Sequence, residues 1–186
     1  MDGGGTLICV VGPSGAGKDT LINFARARLA TDPRFVFPQR YISRVLTPDE
    51  PHIPVSDEEY ERRHADGAFF LSWRAHDVTY ALGRDVEHAL LTGKAVVANI
   101  SRQLIDDARA KWRRAFVVHV KVDPHILRAR LEARGRETAA GVDARLLRGV
   151  EVRDAPWIIG FDNSVDVSET GPRFTALLER LALAGT

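Results

Sequence analysis

The sequence predicts an α/β fold: a doubly wound parallel sheet of five strands in a three-layer sandwich. Two observations predict it. Short continuous apolar runs alternate along the chain with segments of helical periodicity, as parallel strands covered on both faces require. The first run, Leu7 to Val11, leads directly into Gly12-Pro13-Ser14-Gly15-Ala16-Gly17-Lys18-Asp19, and an amphipathic helix opens at once behind it. A Gly-x4-Gly-Lys spacing between a strand and a helix is the pattern of a P-loop. Its glycines let successive backbone N–H groups point at phosphate oxygens, and the helix adds its positive N-terminal end. Lys18 can reach the terminal phosphates as a mobile point charge. Asp19 stands where a magnesium-ligating Ser or Thr is expected, with Thr20 one residue further round the helix.

Composition narrows the function classes. With 186 residues and 45% hydrophobic content, the chain can bury one good core, which predicts one domain with excursions. No apolar run is long enough to span a membrane, and the N-terminal run ends in glycines, unlike a signal peptide. A cytoplasmic protein without membrane association is expected. Cys9, the single cysteine, lies mid-strand as a small core residue, and no Cys/His cluster has zinc spacing. A net charge of +1 gives no reason to expect a nucleic-acid partner. Lysine occurs only at 18, 94, 111 and 121, and every other basic residue is arginine. Arginine suits bidentate phosphate recognition, but position has to show which arginines matter.

The elements follow in order. Residues 6–11 read as the first strand, and a helix runs from Asp19 to Leu29 with Leu21, Ile22, Phe24, Ala25 and Leu29 as its apolar stripe. Phe35-Val36-Phe37 starts a second strand, which Pro38 interrupts or relegates to an edge. Residues 45–80 differ in character: a Pro- and acid-rich stretch, a short helix from Asp57 to Asp66 capped by Ser56, and short strands at 69–73 and 78–80. The alternation then resumes with helix Asp85 to Leu91, strand Ala95 to Ile100, helix Arg102 to Lys111 and strand Phe116 to Val122. Pro124 opens a helix through Arg134 at its permitted first turn. A crossing at 135–142 follows, then a strand from Trp157 to Phe161 and a helix from Pro172 to Leu183.

Ligands of an open parallel sheet bind beyond the carboxyl ends of its strands. Four segments fall there: the P-loop; Arg40 and Arg44; Asn99, Ser101 and Arg102; and Arg134 with Arg145. Singly, Arg134 and Arg145 read as ordinary solvated helix residues, and Arg44 and Tyr80 as rim residues. Their shared position relative to the P-loop lifts them above that background. Arginines converging on one crevice suit phosphoryl transfer between two anions, which needs positioning and charge neutralisation more than covalent chemistry. The six histidines show no catalytic spacing and are taken as structural or surface residues.

On these motifs the chain resembles the nucleoside monophosphate kinases of the guanylate kinase type over nearly its whole length. Ile42-Ser43-Arg44 sits where that family has Thr-Thr-Arg, and Phe70-Leu71-Ser72-Trp73, Tyr80, Arg130-Leu131-Glu132-Ala133-Arg134-Gly135 and Arg145-Leu146 follow in family order. The departures are informative. Two base-reading carboxylates of the family are Ser72 and Ser101 here, and Arg40 replaces a small polar residue, so the pocket is expected to hold a more anionic acceptor than GMP. With Arg40-Tyr41-Ile42-Ser43-Arg44, His52 to Ser56, Leu71 to His76, Asn99-Ile100-Ser101-Arg102 and Arg134 to Glu137, the chain resembles the ribose 1,5-bisphosphate phosphokinases of bacterial phosphonate utilisation. Ala81 and Ile100 depart from that pattern, where the relatives carry glycine.

The resemblance implies an ATP- and Mg2+-dependent kinase acting on a small phosphorylated sugar, ribose 1,5-bisphosphate, to give 5-phosphoribosyl 1-diphosphate and ADP. It implies one P-loop kinase domain over 1–186, with a core (1–39, 83–133, 148–186), an acceptor-binding insertion at about 40–82 and a lid at about 134–147. Residues 12–20 (Gly12, Pro13, Ser14, Gly15, Ala16, Gly17, Lys18, Asp19 and Thr20) would bind ATP, with Asn163 facing the adenine. Arg40, Arg44, Ser72, Tyr80, Ser101 and Arg102 would bind the acceptor, and Lys18, Arg134 and Arg145 would act on the transferring group. Asp19 has two readings: a magnesium ligand, directly or through water, compensating for the uncharged Asn99, or a residue that merely favours the helix N-terminus by roughly 0.3–1 kcal/mol. The alternatives to this function are a guanylate kinase-type enzyme of altered acceptor specificity and a non-catalytic nucleotide-binding module.

Overall fold

In a computed structural model, which describes residues 4–44, 52–75, 77–133 and 152–184, the strands sort into two sheets. The larger has five strands, β2 (Phe35–Val36), β7 (Ala95–Asn99), β1 (Thr6–Val11), β8 (Ala115–Lys121) and β9 (Ile158–Asp162), in that order and all parallel. β1 is central and wholly buried. Successive side chains of a strand point to opposite faces. Leu7, Cys9 and Val11 therefore enter one core with α3 (Asp85–Leu91) and α4 (Ile105–Lys111). Ile8 and Val10 enter the other, against α1 (Lys18–Arg28) and α6 (Val167–Leu183). α5 (Pro124–Ala133) adds Leu127 and Leu131 beside Val122. This is the doubly wound three-layer sandwich expected from the alternation of apolar runs. β2 ends after two residues at an edge, consistent with Pro38 close behind it.

The second sheet has four strands in the order β4 (Ile53–Pro54), β3 (Arg40–Ile42), β6 (Val78–Gly83), β5 (Phe69–Ala75). β3 pairs parallel with β4 and antiparallel with β6, which in turn pairs antiparallel with β5. α2 (Asp57–Ala65) lies beside it, capped by Ser56, whose Oγ accepts from the Glu59 N–H at 3.1 Å. Its Tyr60 packs on Phe69 with ring centroids 5.3 Å apart, and Phe69 meets Tyr41 of β3 at 5.4 Å. The short strands expected at 69–73 and 78–80 are thus a longer hairpin, completed by strands from residues 40–54.

Two helices begin differently from the sequence expectation. The segment from Arg102 opens as a 3-10 turn, Arg102–Leu104, and becomes α-helical only at Ile105, because Leu104 sits at φ −94°, ψ 7° between them. The last helix starts at Val167, not at Pro172. Asp166 caps it by accepting from the Ser168 N–H at 2.9 Å, and Pro172 lies inside. Pro172 cannot donate back along the helix. The cap and the close seat of α6 on α1 offset that loss: a Cβ on Gly171 would come within 2.7 Å of the Phe24 ring. Among the described residues no helix is long and apolar enough to cross a membrane.

The Gly171 contact makes a stability prediction. Gly171→Val should lower the unfolding free energy by about 1–3 kcal/mol although glycine is a poor helix former. Adding Phe24→Ala should recover part of the loss, as measured by denaturant titration. A neutral Gly171→Val would contradict the close packing.

Candidate active site

The turn after β1 is clasped from several directions. Gly15 (φ 84°) has Leu131 and Leu127 of α5 within 2.9 and 3.0 Å of where a Cβ would stand. Gly17 (φ 80°) forms the N-terminal cap of α1, and a Cβ there would lie 2.6 Å from Asn163 Nδ2. Positive φ and lack of space both demand glycine at these two positions. Lys18 Nζ donates to the carbonyls of Gly12 and Pro13, each at 2.9 Å, so its ammonium lies over the loop. Ser14, Asp19 and Thr20 are exposed around it, and Ala16 is buried.

Asn163 differs from expectation. Its position after β9 suggests a residue facing the adenine, yet its side chain is 5% exposed and turned under the P-loop, where Nδ2 donates to the Ala16 carbonyl at 2.8 Å. Nδ2 is thus engaged in bracing the loop, while Oδ1 is buried without a hydrogen-bond partner among the described residues.

The sheet order brings a second group together beside Lys18. β1 and β7 are neighbours with Val10 opposite Asn99, so Asn99 at the end of β7 meets the first turn of α1. Asn99 Nδ2 donates to Asp19 Oδ1 at 2.8 Å. From the other sheet, Arg40 approaches the same oxygen at 3.6 Å. Arg40 also donates to His52 Nε2 at 3.0 Å and lies 5.8 Å from the centroid of the Tyr80 ring, which stacks on Trp73 at 5.4 Å. Because arginine has only donors, Nε2 of His52 is unprotonated and accepts. The register explains the pair: Tyr41 lies opposite Ile53, so the residues preceding them, Arg40 and His52, come side by side.

Partial removal from water raises the Asp19 carboxyl, but Arg40, the Asn99 hydrogen bond and Lys18 together outweigh this and hold it below the usual carboxylate range. Asp19 is therefore ionised at neutral pH beside the phosphate-binding loop. The surrounding crevice has a cavity volume of about 40 Å3, opens to solvent, and is lined by Asp19, Asn23, Arg26, Arg40, His52 and Asn99, among others. Asn23 and Arg26 belong to no motif, and His52, within the stretch His52 to Ser56, reads from the sequence as a structural or surface residue. The polar face of α1 was the available signal for Asn23 and Arg26, and the stretch from His52 to Ser56 for His52.

The other expected site residues among those described do not line this crevice. Ser72, opposite Ala81 on the hairpin, lines a separate groove with Leu104, Asp107 and Lys111. Ser101 caps the 3-10 turn, accepting from the Gln103 N–H at 3.4 Å. Arg102 is partly buried, and that burial lowers its pKa. Arg44 is exposed beyond the end of β3. Arg134 and Arg145 lie outside the described residues. Among the described residues no three His, Cys, Asp or Glu side chains converge as a metal cage. The donor set fits magnesium, which binds through one or two carboxylates plus phosphate oxygens and water.

Comparison with known proteins shows the family. A family model described as an AAA domain matches residues 8–148. A ribose 1,5-bisphosphate phosphokinase PhnN from Acidiphilium cryptum is 44% identical over 97% of this chain and 96% of its own length. The protein of the same name from Desulfomicrobium baculatum is 39% identical over 96% and 97%. Among solved structures, guanylate kinase from Anaplasma phagocytophilum matches with a TM-score of 0.67 at 17% identity, covering 98% of this chain and 88% of that one, a likeness of fold. A P-loop strand–turn–helix, a second sheet carrying Arg40 and Tyr80 to its mouth, and identity along nearly the full length place this chain in the ribose 1,5-bisphosphate phosphokinase family of P-loop kinases.

Proposed function

We propose that this protein transfers the γ-phosphoryl group of ATP to the 1-phosphate of ribose 1,5-bisphosphate, giving 5-phosphoribosyl 1-diphosphate and ADP in phosphonate utilisation. The observation that carries the reading is Arg40. It reaches the crevice beside the P-loop from the second sheet and meets Asp19 and His52 there, while Ser72 and Ser101 stand where a guanine-reading enzyme carries carboxylates. In the reaction, an oxygen of the acceptor 1-phosphate forms a bond to the γ-phosphorus as the bond to the β–γ bridging oxygen breaks. The bridging oxygen leaves on ADP. That attacking oxygen is already ionised near neutral pH, so no general base is required. The work is orientation and charge neutralisation.

Lys18 swings from the Gly12 and Pro13 carbonyls to the β- and γ-phosphates, which the P-loop amides of residues 12–20 cradle. Arg40, Arg44 and Tyr80 hold the acceptor, with Arg102 in a secondary position, and serines at 72 and 101 leave the site without base-reading carboxylates. Arg134 and Arg145 belong to a lid that closes over the γ-phosphate and stabilises the charge that develops during transfer. Asp19 would hold magnesium, directly or through water, and the ion would supply positive charge against the nucleotide phosphates. Asn163 holds the P-loop in shape and reads no base. Residues 40–82 act as the acceptor-binding insertion on the core. A cytoplasmic, membrane-free setting completes the reading.

The acceptor is tested by measuring coupled ADP release with ribose 1,5-bisphosphate, ribose 5-phosphate and GMP. Turnover should be fastest with the bisphosphate. Robust GMP turnover would favour instead a guanylate kinase-type enzyme of altered specificity. Asp19→Asn should weaken the dependence of nucleotide affinity on Mg2+ by about tenfold or more, roughly the loss of one charge-assisted contact, read as binding of a non-hydrolysable ATP analogue with and without metal. A depressed carboxyl pKa means that the Asp19 charge is present at every pH above the ordinary carboxylate range and is lost only on further acidification. The metal dependence should therefore be flat from about pH 6 to 8 as far as Asp19 is concerned. Asn163→Ala should weaken ATP, GTP and inorganic tripolyphosphate by similar factors. A loss confined to ATP would restore the adenine-facing role.

A further inference from the structure

The crevice beside Asp19 extends along α1 beyond the residues assigned to the acceptor. Asn23 and Arg26 line it together with Arg40 and His52. Asp19, Asn23 and Arg26 recur at i, i+4 and i+7, which sets them in one row on the helix. At a rise of about 1.5 Å per residue that row covers about 10 Å, the scale of a pentose bearing a phosphate at either end.

Arg26 is held within this row. Its Nη1 donates to Asn23 Oδ1 at 2.7 Å, and its guanidinium lies 5.8 Å from the centroid of the Phe37 ring. Among the described residues no carboxylate comes within ion-pair distance of it. Across the crevice, Arg40 has a carboxylate only at 3.6 Å and donates to a neutral imidazole. Two guanidinium groups thus share one crevice with the single carboxylate of Asp19. Such an excess of positive charge in a partly enclosed space favours a dianion. Arginine stays charged even where burial lowers its pKa, as it does for Arg26.

We propose that Arg26, together with Arg40 and His52, seats the acceptor phosphate that does not react, so that this end of the crevice selects a sugar bisphosphate over a monophosphate. The inference rests on the reading of ribose 1,5-bisphosphate as the acceptor. The seat takes the 5-phosphate and leaves the 1-phosphate at the P-loop end. Asn23 is a positioning residue that fixes the Arg26 guanidinium through its side-chain oxygen. The outward face of α1 thereby discriminates between acceptors while its N-terminus serves the nucleotide.

The test compares two competitors that each carry one of the two phosphates. Inhibition constants for ribose 5-phosphate and ribose 1-phosphate are measured against ribose 1,5-bisphosphate in the wild type, Arg26→Met and Arg26→Lys. Arg26→Met should weaken ribose 5-phosphate about tenfold or more, the scale of one charge-assisted contact, and leave ribose 1-phosphate within about twofold. Arg26→Lys should recover part of the loss, with the KM for ATP and the melting temperature unchanged throughout. Equal weakening of both competitors, or of neither, would overturn the proposal, because a merely structural Arg26 packed on Phe37 cannot tell the two phosphates apart. Absence of any wild-type turnover of ribose 1,5-bisphosphate would overturn the functional reading itself, and this inference with it.

Discussion

The tight clasp around the P-loop is the constraint on which the rest of the site depends. β1 delivers the loop from the middle of the sheet, with Leu7, Ile8, Val10 and Val11 fully buried. Each such side chain contributes roughly 1.5–3 kcal/mol when removed from water, so the point at which the loop begins is fixed by the core itself. α5 then closes on Gly15 through Leu127 and Leu131, while Asn163 holds the Ala16 carbonyl and crowds Gly17. The loop therefore owes its shape to residues more than a hundred positions away as much as to its own glycines. Asn163, which follows the edge strand β9, is therefore buried beneath the P-loop.

The crevice beside the P-loop depends on the meeting of two sheets. The parallel sheet supplies Asp19 and Asn99 through the adjacency of β1 and β7. The second sheet supplies Arg40 and His52 through the pairing of β3 with β4, and Tyr80 through β6. Asp19 is the hinge of the charge arrangement, since it follows Lys18 directly and also touches Arg40. One carboxylate between a lysine and arginines cannot neutralise them, which leaves the crevice favourable to ligands carrying several negative charges. An enzyme that binds two anions and joins them needs this imbalance before the ligands arrive.

Most of the fold is legible in the sequence because the apolar runs are short and continuous, and because Ser56, Pro124 and the P-loop glycines punctuate it locally. The exceptions have tertiary causes. The start of α6 is hidden because Pro172 reads as a first-turn proline, whereas the true cap is Asp166 and Gly171 is explained only by Phe24 on another helix. The second sheet is only half visible because β3 and β4 are three and two residues long and owe their strand character to pairing. The site divides in the same way. Lys18, Asp19, Arg40 and Tyr80 are found from motif and order. His52 gains its place from a strand register, and Asn23 and Arg26 look in sequence like any solvated helix face. Ser72 and Ser101 are informative for what they replace, and the structure gives them a groove position and a capping role.

The central claim is that the chain joins a phosphoryl group to a phosphate already present on C1 of a ribose bisphosphate. Phosphorus NMR of a reaction containing ATP, Mg2+ and ribose 1,5-bisphosphate tests it most directly. The account predicts that the 1-phosphate resonance is replaced by the coupled pair of a diphosphate, while the 5-phosphate resonance persists unsplit and ADP accumulates in equal amount. A diphosphate formed at the 5-position, or ADP released with the sugar resonances unchanged, would contradict it.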